Sequence, residues 1–339
     1  MKKMTCIFIA MAAVAVLSGC RDAEEEKGPV FGGRSETTYQ NPVYRADVPD
    51  PSVIRARNGK YYVYGTTGTV LSSPDLVEWT DEGKVFPTGE TPSWLSGGAV
   101  WACDINYVNG RYVLFYALSK WGEEHKNGIG VATSLTPEGP FRDTGALFTS
   151  DEIGVQNSID PCYFEEDGRK YLAWGSFHGI FLAELTENGL RLSKTPDLRR
   201  IAGDAFEGAM LFKKDGKYYL FASIGSCCDG EASTYRTVVG RSDHLAGPYL
   251  ARDGGRMLDN ACTVILSGTD RFRGTGHNSE LVTDGAGDTW LLYHAYDVNN
   301  INLGRCLFLD KIQWDSDGWP FVEGGTPSST PRPGPVIKD

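Results

Sequence analysis

Outside its first twenty residues, the 339-residue sequence has no long stretch with apolar residues at helical spacing, which leaves an all-β fold as the reading. It is short of positive charge: 33 Lys and Arg face 44 Asp and Glu, and the net charge of −11 argues against nucleic acid or an anionic membrane surface as partner, since both need a basic face. Cysteine is sparse too, and none of the eight shows metal-ligand spacing, so no zinc site is expected. Two of them, Cys6 and Cys20, fall in the N-terminal segment. The remaining six, Cys103, Cys162, Cys227, Cys228, Cys262 and Cys306, allow 15 full disulfide connectivities, among which sequence does not choose. What the chain has in abundance is glycine, 41 residues, and aromatic side chains, 12% of the total.

Those residues are organised into a repeat. Five times a polar residue runs into a short apolar stretch, a glycine turn and an aromatic-rich strand. The copies are Asp50-Pro-Ser-Val-Ile with Gly59-Lys-Tyr-Tyr-Val-Tyr, Asp104-Ile-Asn-Tyr-Val with Gly110-Arg-Tyr-Val-Leu-Phe, and Asp160-Pro-Cys-Tyr-Phe with Gly168-Arg-Lys-Tyr-Leu-Ala. Glu207-Gly-Ala-Met-Leu-Phe with Gly216-Lys-Tyr-Tyr-Leu-Phe and His277-Asn-Ser-Glu-Leu-Val with Gly287-Asp-Thr-Trp-Leu-Leu complete the set. Spacings of 47 to 70 residues suit one four-stranded sheet per copy, and so a five-bladed β-propeller with its site at the central axis.

The N-terminus reads as an address. Lys2 and Lys3 precede an apolar run from Cys6 to Leu17, and Leu17-Ser18-Gly19-Cys20 resembles the lipobox of bacterial lipoproteins. The expected organisation is a signal peptide over 1–19, an acylated Cys20 with an acidic tether over 20–39, a propeller over 40–325 and a Pro- and Ser-rich tail over 326–339. An outer-membrane lipoprotein follows, facing the cell surface or periplasm, monomeric and touching the membrane only through the lipid on Cys20.

Hydrolysing a glycosidic bond with inversion needs one carboxylate to take a proton from water and one carboxylic acid to protonate the leaving oxygen. Asp50, Asp160 and Glu207 open three different repeats, each directly before a strand that reads as buried, so their carboxyl groups are expected in one axial funnel. Crowded carboxylates drive their pKa values apart, which leaves one ionised and another protonated near neutral pH. A third carboxylate there can raise and orient the acid.

Over about residues 40 to 322 the chain resembles glycoside hydrolase family 43. The motifs that carry the likeness are Val48-Pro-Asp50-Pro-Ser-Val-Ile, Trp101-Ala-Cys-Asp104, Ser158-Ile-Asp160-Pro, Trp174-Gly-Ser176, Glu207-Gly-Ala, and the Arg305 region ending in Trp314-Asp-Ser-Asp-Gly-Trp-Pro320. The resemblance implies Asp50 as general base, Glu207 as general acid and Asp160 as the group that tunes the acid. Two further stretches, Phe221-Ala-Ser-Ile-Gly-Ser-Cys-Cys228-Asp-Gly and Gly274-Thr-Gly-His277-Asn-Ser279, are similar to segments of the endo-1,5-α-L-arabinanases, which implies plant cell-wall arabinan or a related pentose glycan as substrate. The likeness also implies an axial ion at His277, a calcium surrounded mostly by water. No organic cofactor is expected.

Sugar rings bind by their C–H faces to flat aromatics and by their hydroxyls to convergent polar groups. Trp101, Asp104, Ser176 and Arg305 are the expected substrate contacts, with Trp94 and Trp121 flanking them. Two positions depart from the arabinanase pattern: Pro49 stands where a His commonly precedes the base, and Cys103 replaces a proline. Both bear on endo against exo cleavage. The alternatives are an exo-acting α-L-arabinofuranosidase or β-xylosidase on the same scaffold, or a surface glycan-binding lipoprotein that has lost its chemistry.

Overall fold

The computed structural model describes residues 37–338. The expected signal peptide, Cys20 and most of the acidic tether lie outside the described residues. Three four-stranded antiparallel sheets run in chain order: β2–β5 (Ser52–Arg55, Tyr61–Gly65, Thr69–Ser73, Thr80–Lys84), β6–β9 (Ala99–Val108, Arg111–Ser119, Gly128–Ser134, Arg142–Thr149) and β10–β13 (Cys162–Glu166, Arg169–Trp174, Ile180–Glu184, Arg199–Ala202). A nine-stranded sheet holds β14–β17 (Glu207–Lys214, Lys217–Ile224, Arg236–Ser242, Thr263–Leu266) and β18–β22 (Phe272–Gly276, Val282–Thr283, Thr289–Asp297, Cys306–Trp314, Pro320–Val322). Its two halves are joined where β18 lies parallel to β16 at the single pair Arg236–Thr275. The fold is all-β; among the described residues the only α-helix is the turn Ser150–Ile153, and no helix is long and apolar enough to cross a membrane.

The glycine turns of the repeat are type I′ hairpins where both central residues take positive φ: Asn109-Gly110, Asp167-Gly168 and Asp215-Gly216 join the first two strands of three units. Asn and Asp tolerate that conformation and Gly is indifferent to it, and its twist matches that of the flanking strands. The aromatic-rich second strands are covered on both faces, so β3 and β20 are buried along their whole length instead of alternating. Tyr61, Tyr62, Tyr64, Phe115, Trp174, Phe221 and Tyr293 are fully buried, each contributing about 1.5–3 kcal/mol from apolar burial.

In the first four units the first strand pairs with the second on one edge only, which leaves backbone N–H groups on the other edge in need of acceptors. Side chains of the neighbouring unit supply them. Val53 N–H donates to Glu280 Oε2 at 2.6 Å, Ile105 N–H to Ser52 Oγ at 3.0 Å, Tyr163 N–H to Asp104 Oδ2 at 2.8 Å and Leu211 N–H to Cys162 Sγ at 3.3 Å. Ser52 Oγ in turn donates to Glu280 Oε1 at 2.9 Å.

Two boundary regions meet. Thr38–Tyr39 (β1), placed by the sequence reading in the tether, pairs antiparallel with Arg332–Pro333 (β23) of the expected tail. Tyr39 is buried and donates to Asp310 at 3.0 Å, and Asn41 bonds the Leu309 backbone, so the start of the described chain is sewn to β21.

Asp104 is the acceptor that also carries a charge question. Burial, and then the Glu280 carboxyl against it, push it well above the usual carboxylate range. A carboxyl raised in the folded state contributes stability that is complete below its unfolded value of about 3.9 and is lost as pH rises through the folded value. Asp104→Asn keeps an acceptor for Tyr163 and removes the titration, so its melting temperature is expected to fall less than that of the wild type between pH 5 and 9. Asp104→Leu strands the Tyr163 N–H and costs about 1–3 kcal/mol. Melting curves across pH check this; an Asn variant with the wild-type slope would show that Asp104 is not the titrating group.

Candidate active site

Asp50 sits just ahead of β2, Asp160 just ahead of β10, and Glu207 opens β14. Asp50 and Asp160 both take φ of 57°, and His277, after β18, takes 46°. A left-handed backbone costs a residue with a Cβ roughly 1–3 kcal/mol and persists only where its surroundings hold it. At Asp50 the hold is dense. Its N–H donates to His294 Nδ1 at 3.0 Å, Thr66 Oγ1 donates to Oδ2 at 2.6 Å, and Oδ1 faces Arg305 Nη1 at 3.3 Å and His277 Nδ1 at 3.2 Å.

Glu207 accepts from the Ser176 hydroxyl at 2.7 Å and lies beside the buried Tyr235 phenol. Gly208 N–H donates to Asp160 Oδ2 at 3.1 Å and so ties the strand that Glu207 opens to the third carboxylate. Glycine relieves a crowded position there. Gly208 has φ of 57°, and a Cβ on it would stand 3.1 Å from His277 Cγ.

Electrostatics separates the carboxyl groups. Burial works to raise Asp50, but the Arg305 guanidinium and the His277 ring outweigh it and hold Asp50 well below the usual carboxylate range. Asp160 is raised to about 7, first by burial, against the lowering effect of His277, with Glu207 and Asp50 adding to the rise. Burial raises Glu207 as well, while Tyr235 and Ser176 act against the rise. Burial would lower His277, yet Asp50, Asp160 and Glu207 together raise it to about 9. The centre therefore holds one ionised carboxylate among cations, and two carboxyls that retain protons to higher pH.

The structure brings together Asp50, Asp160, Glu207, Ser176, Arg305 and His277. Ser176 and Arg305, expected to touch substrate, are engaged with protein: the first holds Glu207, the second holds Asp50. Asp104 is not in the group. It lies within β6, 3% exposed, with its carboxylate spent on Tyr163 N–H, Asn106 and the Glu280 carboxyl, because its repeat is offset and Asp104 stands level with Ser52 instead of Asp50. Trp101 is half-buried and packs against Trp121, ring centroids 5.0 Å apart, with Trp121 75% exposed. Trp94 turns inward, donating to Tyr116 at 3.0 Å within the core. Cys103 is likewise buried in that core, so its departure from the family pattern does not line the cleft.

Sequence reasoning missed His294, Thr66, Tyr235 and Glu280. His294 had a visible signal: it is the one imidazole, and the one side chain whose ordinary pKa lies near neutral pH, inside the largely apolar run Trp290-Leu-Leu-Tyr-His-Ala-Tyr296. Burial lowers its ring to about 4, so it is neutral.

Among the described residues, no group of three His, Cys, Asp or Glu is arranged to hold a metal ion. A calcium at His277 would thus have one protein donor and water for the rest. Tyr235 Oη, Thr275 Oγ1, Asn278 Oδ1 and His294 Nε2, buried on the segments around His277, lack protein partners, which fits an ion held through its water shell.

Residues 39–320 match the family profile described as Glycosyl hydrolases family 43. The extracellular endo-alpha-(1->5)-L-arabinanase 1 of Bacillus subtilis is 36% identical over 80% of this chain and 86% of its own length. The extracellular exo-alpha-(1->5)-L-arabinofuranosidase ArbA of Cellvibrio japonicus is 32% identical over 82% and 87%. Among solved structures, the Cellvibrio cellulosa alpha-L-arabinanase complexed with arabinohexaose superposes with a TM-score of 0.75 at 30% identity, covering 82% of this chain and 96% of that one.

Removing a cation from Asp50 or a donor from Glu207 must raise the pKa of each. Arg305→Gln is expected to move Asp50 upward, and Ser176→Ala to move Glu207 upward, with little crossover. Carboxyl ¹³C NMR titration reads both, and an unmoved Asp50 in Arg305→Gln would refute the pairing.

Proposed function

The chain belongs to glycosyl hydrolases family 43, and we propose that it hydrolyses α-1,5-linked L-arabinan internally, with inversion. The observation that carries the chemistry is the division of labour at the centre: Asp50 is held ionised by Arg305 and His277, while burial keeps the Glu207 carboxyl protonated to higher pH. An inverting mechanism needs that pair.

Asp50 takes a proton from the attacking water as its oxygen closes on the anomeric carbon, and Glu207 delivers its proton to the departing glycosidic oxygen from the other side of the ring. Thr66 and Arg305 fix the two oxygens of the base; Ser176 fixes an oxygen of the acid. Asp160, tied to the N–H of Gly208, keeps its own proton up to about pH 7, and above that its negative charge holds the acid protonated. His277 would hold a hydrated calcium through a neutral ring nitrogen, so the ion would displace the proton that the surrounding carboxylates otherwise keep on the ring and put its own positive charge in that place.

The sheets are read as five blades of a closed propeller, β2–β5, β6–β9, β10–β13, β14–β17 and the strands after Gly268. The four side-chain bridges between successive first strands and the Arg236–Thr275 pair support this arrangement. The lipobox at Cys20 and the extracellular relatives support display outside the cytoplasm on a lipid anchor.

Trp101, three residues ahead of Asp104, packs against the exposed Trp121, and aromatic faces of this kind favour a chain lying across the site over a chain end entering it. The exo reading stays as the second, because relatives of both modes match at similar coverage.

Brief digestion of linear arabinan is expected to yield short oligosaccharides first, and sizing the products decides; arabinose as the earliest product would transfer the assignment to exo action. Asp50→Asn is expected to fail on arabinan and on an aryl arabinofuranoside alike. Glu207→Gln should lose about 10²–10⁴-fold on arabinan and far less on an aryl leaving group that needs no proton. Asp160→Asn should shift the basic limb of the pH profile downward, since Glu207 loses a neighbouring negative charge. Retained anomeric configuration in the first product, read by NMR, would overturn the mechanism.

For the ion, chelation should lower activity or melting temperature, and His277→Ala should abolish the response to added calcium. Full activity of a calcium-free wild type with unchanged melting would remove the ion from the site.

A further inference from the structure

Three of the polar residues that open the repeats, Glu207, His277 and Asp50, share a form of support. Glu207 opens β14 and its carboxylate is held by Ser176, which follows β11, the second strand of the preceding unit. His277 N–H donates at 2.8 Å to Ser223 Oγ in β15, again a second strand of the unit before. Asp50 N–H donates to His294 Nδ1 in β20, the second strand of the last unit. In each case a polar side chain on, or just after, the preceding second strand reaches over to the next entry.

At Asp50 this support has a particular task. The residue lies between Pro49 and Pro51, neither of which has an N–H, and its left-handed backbone turns its own N–H out of the ladder that begins at Ser52. Thr66 N–H already takes the Pro49 carbonyl at 2.9 Å. The Asp50 N–H has one acceptor, His294 Nδ1; that nitrogen also lies 3.2 Å from Asp50 Oδ1, but it is the N–H that meets it in hydrogen-bonding geometry. That ring is fully buried and lies flat on Tyr235, centroids 5.6 Å apart and planes 9° from parallel, and Tyr235 is the phenol beside Glu207.

We propose that His294 is the positioning residue for the base: as the neutral Nε2–H tautomer it gives Asp50 N–H an acceptor that no strand supplies, and so fixes the left-handed turn that aims the Asp50 carboxylate at Arg305 and His277. The assignment rests on reading Asp50 as the base. It explains why a histidine stands in an otherwise apolar strand. An acceptor at the Nδ1 position is required, a ring as such is not. Through the stack on Tyr235, the same imidazole also sets the distance between the base's strand and the acid's surroundings.

Three substitutions separate acceptor from bulk. Asparagine places its Oδ1 near the Nδ1 position, glutamine places its amide near Nε2, and leucine offers volume with no acceptor. His294→Leu and His294→Gln are expected to lose about 10²-fold in kcat, the effect of misplacing a reacting group by about 1 Å, with KM nearly unchanged. The loss should be equal on arabinan and on an aryl arabinofuranoside with an acidic phenol, because a base defect does not depend on the leaving group. His294→Asn should recover most of the activity.

Crystal structures give a readout independent of activity, with Asp50 keeping its positive φ in His294→Asn and leaving it in the other two. Should His294→Leu fail to fold, the Asn and Gln pair decides alone. Equal activity in the Asn and Gln variants, a loss confined to arabinan, or an Asp50 backbone unmoved in His294→Gln would each overturn the proposal. A wild type inactive on both substrates would overturn the reading of function instead, while the Asp50 backbone in the variant structures would still decide the role of His294.

Discussion

In the first four units the first strand has one edge with no β-partner, and everything at the centre of this molecule depends on how its N–H groups are satisfied. Glu280, Ser52, Asp104 and Cys162 each accept from the next unit's first strand. Such bonds are worth little when made, about 0.5–1.5 kcal/mol, but a buried N–H left without an acceptor costs about 1–3 kcal/mol, so they act mainly by penalising every other register. They fix the height of each first strand against its neighbour. The heights of Asp50, Asp160 and Glu207 follow, since each stands within two residues of its strand's start.

Burying several carboxyl groups at one place is unfavourable unless cations or protons accompany them. The molecule uses both. Arg305 and His277 face Asp50, whereas Asp160 and Glu207 keep protons to higher pH. One ionised carboxylate and two carboxyls that keep their protons longer therefore arise from similar side chains by their surroundings alone. His277 serves both kinds: the same three carboxylates that crowd the site raise it to about 9, so the imidazolium is a consequence of the carboxylates it stabilises.

Strain at the site has a local source of support. Three residues with side chains adopt left-handed backbone at strand entries, and Asp50 and His277 pass their N–H groups to the preceding second strand. That strand is buried on both faces, so the supporting side chains are as rigid as the core around them. A rigid second strand and a strained entry turn together hold a carboxylate more narrowly than a solvent-facing loop would.

The amino-acid sequence determined the repeat, the strand class and the identity of the three carboxylates, because aromatic-rich runs, Asn-Gly or Asp-Gly turns and residues before apolar runs are local properties. It also pointed to Ser176, Arg305 and His277 as site residues. Their tasks came only from the fold: Ser176 and Arg305 hold carboxylates, and Asp104, which looked like the second repeat's counterpart of Asp50, stands level with Ser52 and belongs to the bridges between units. A repeat aligned by residue type carries no information on a two-residue offset, which is set by which N–H needs which acceptor across an interface. His294, Thr66, Tyr235 and Glu280 escaped for the same reason. Each acts on a residue far from it in the chain, and only the packing of one sheet against the next decides which side chains meet.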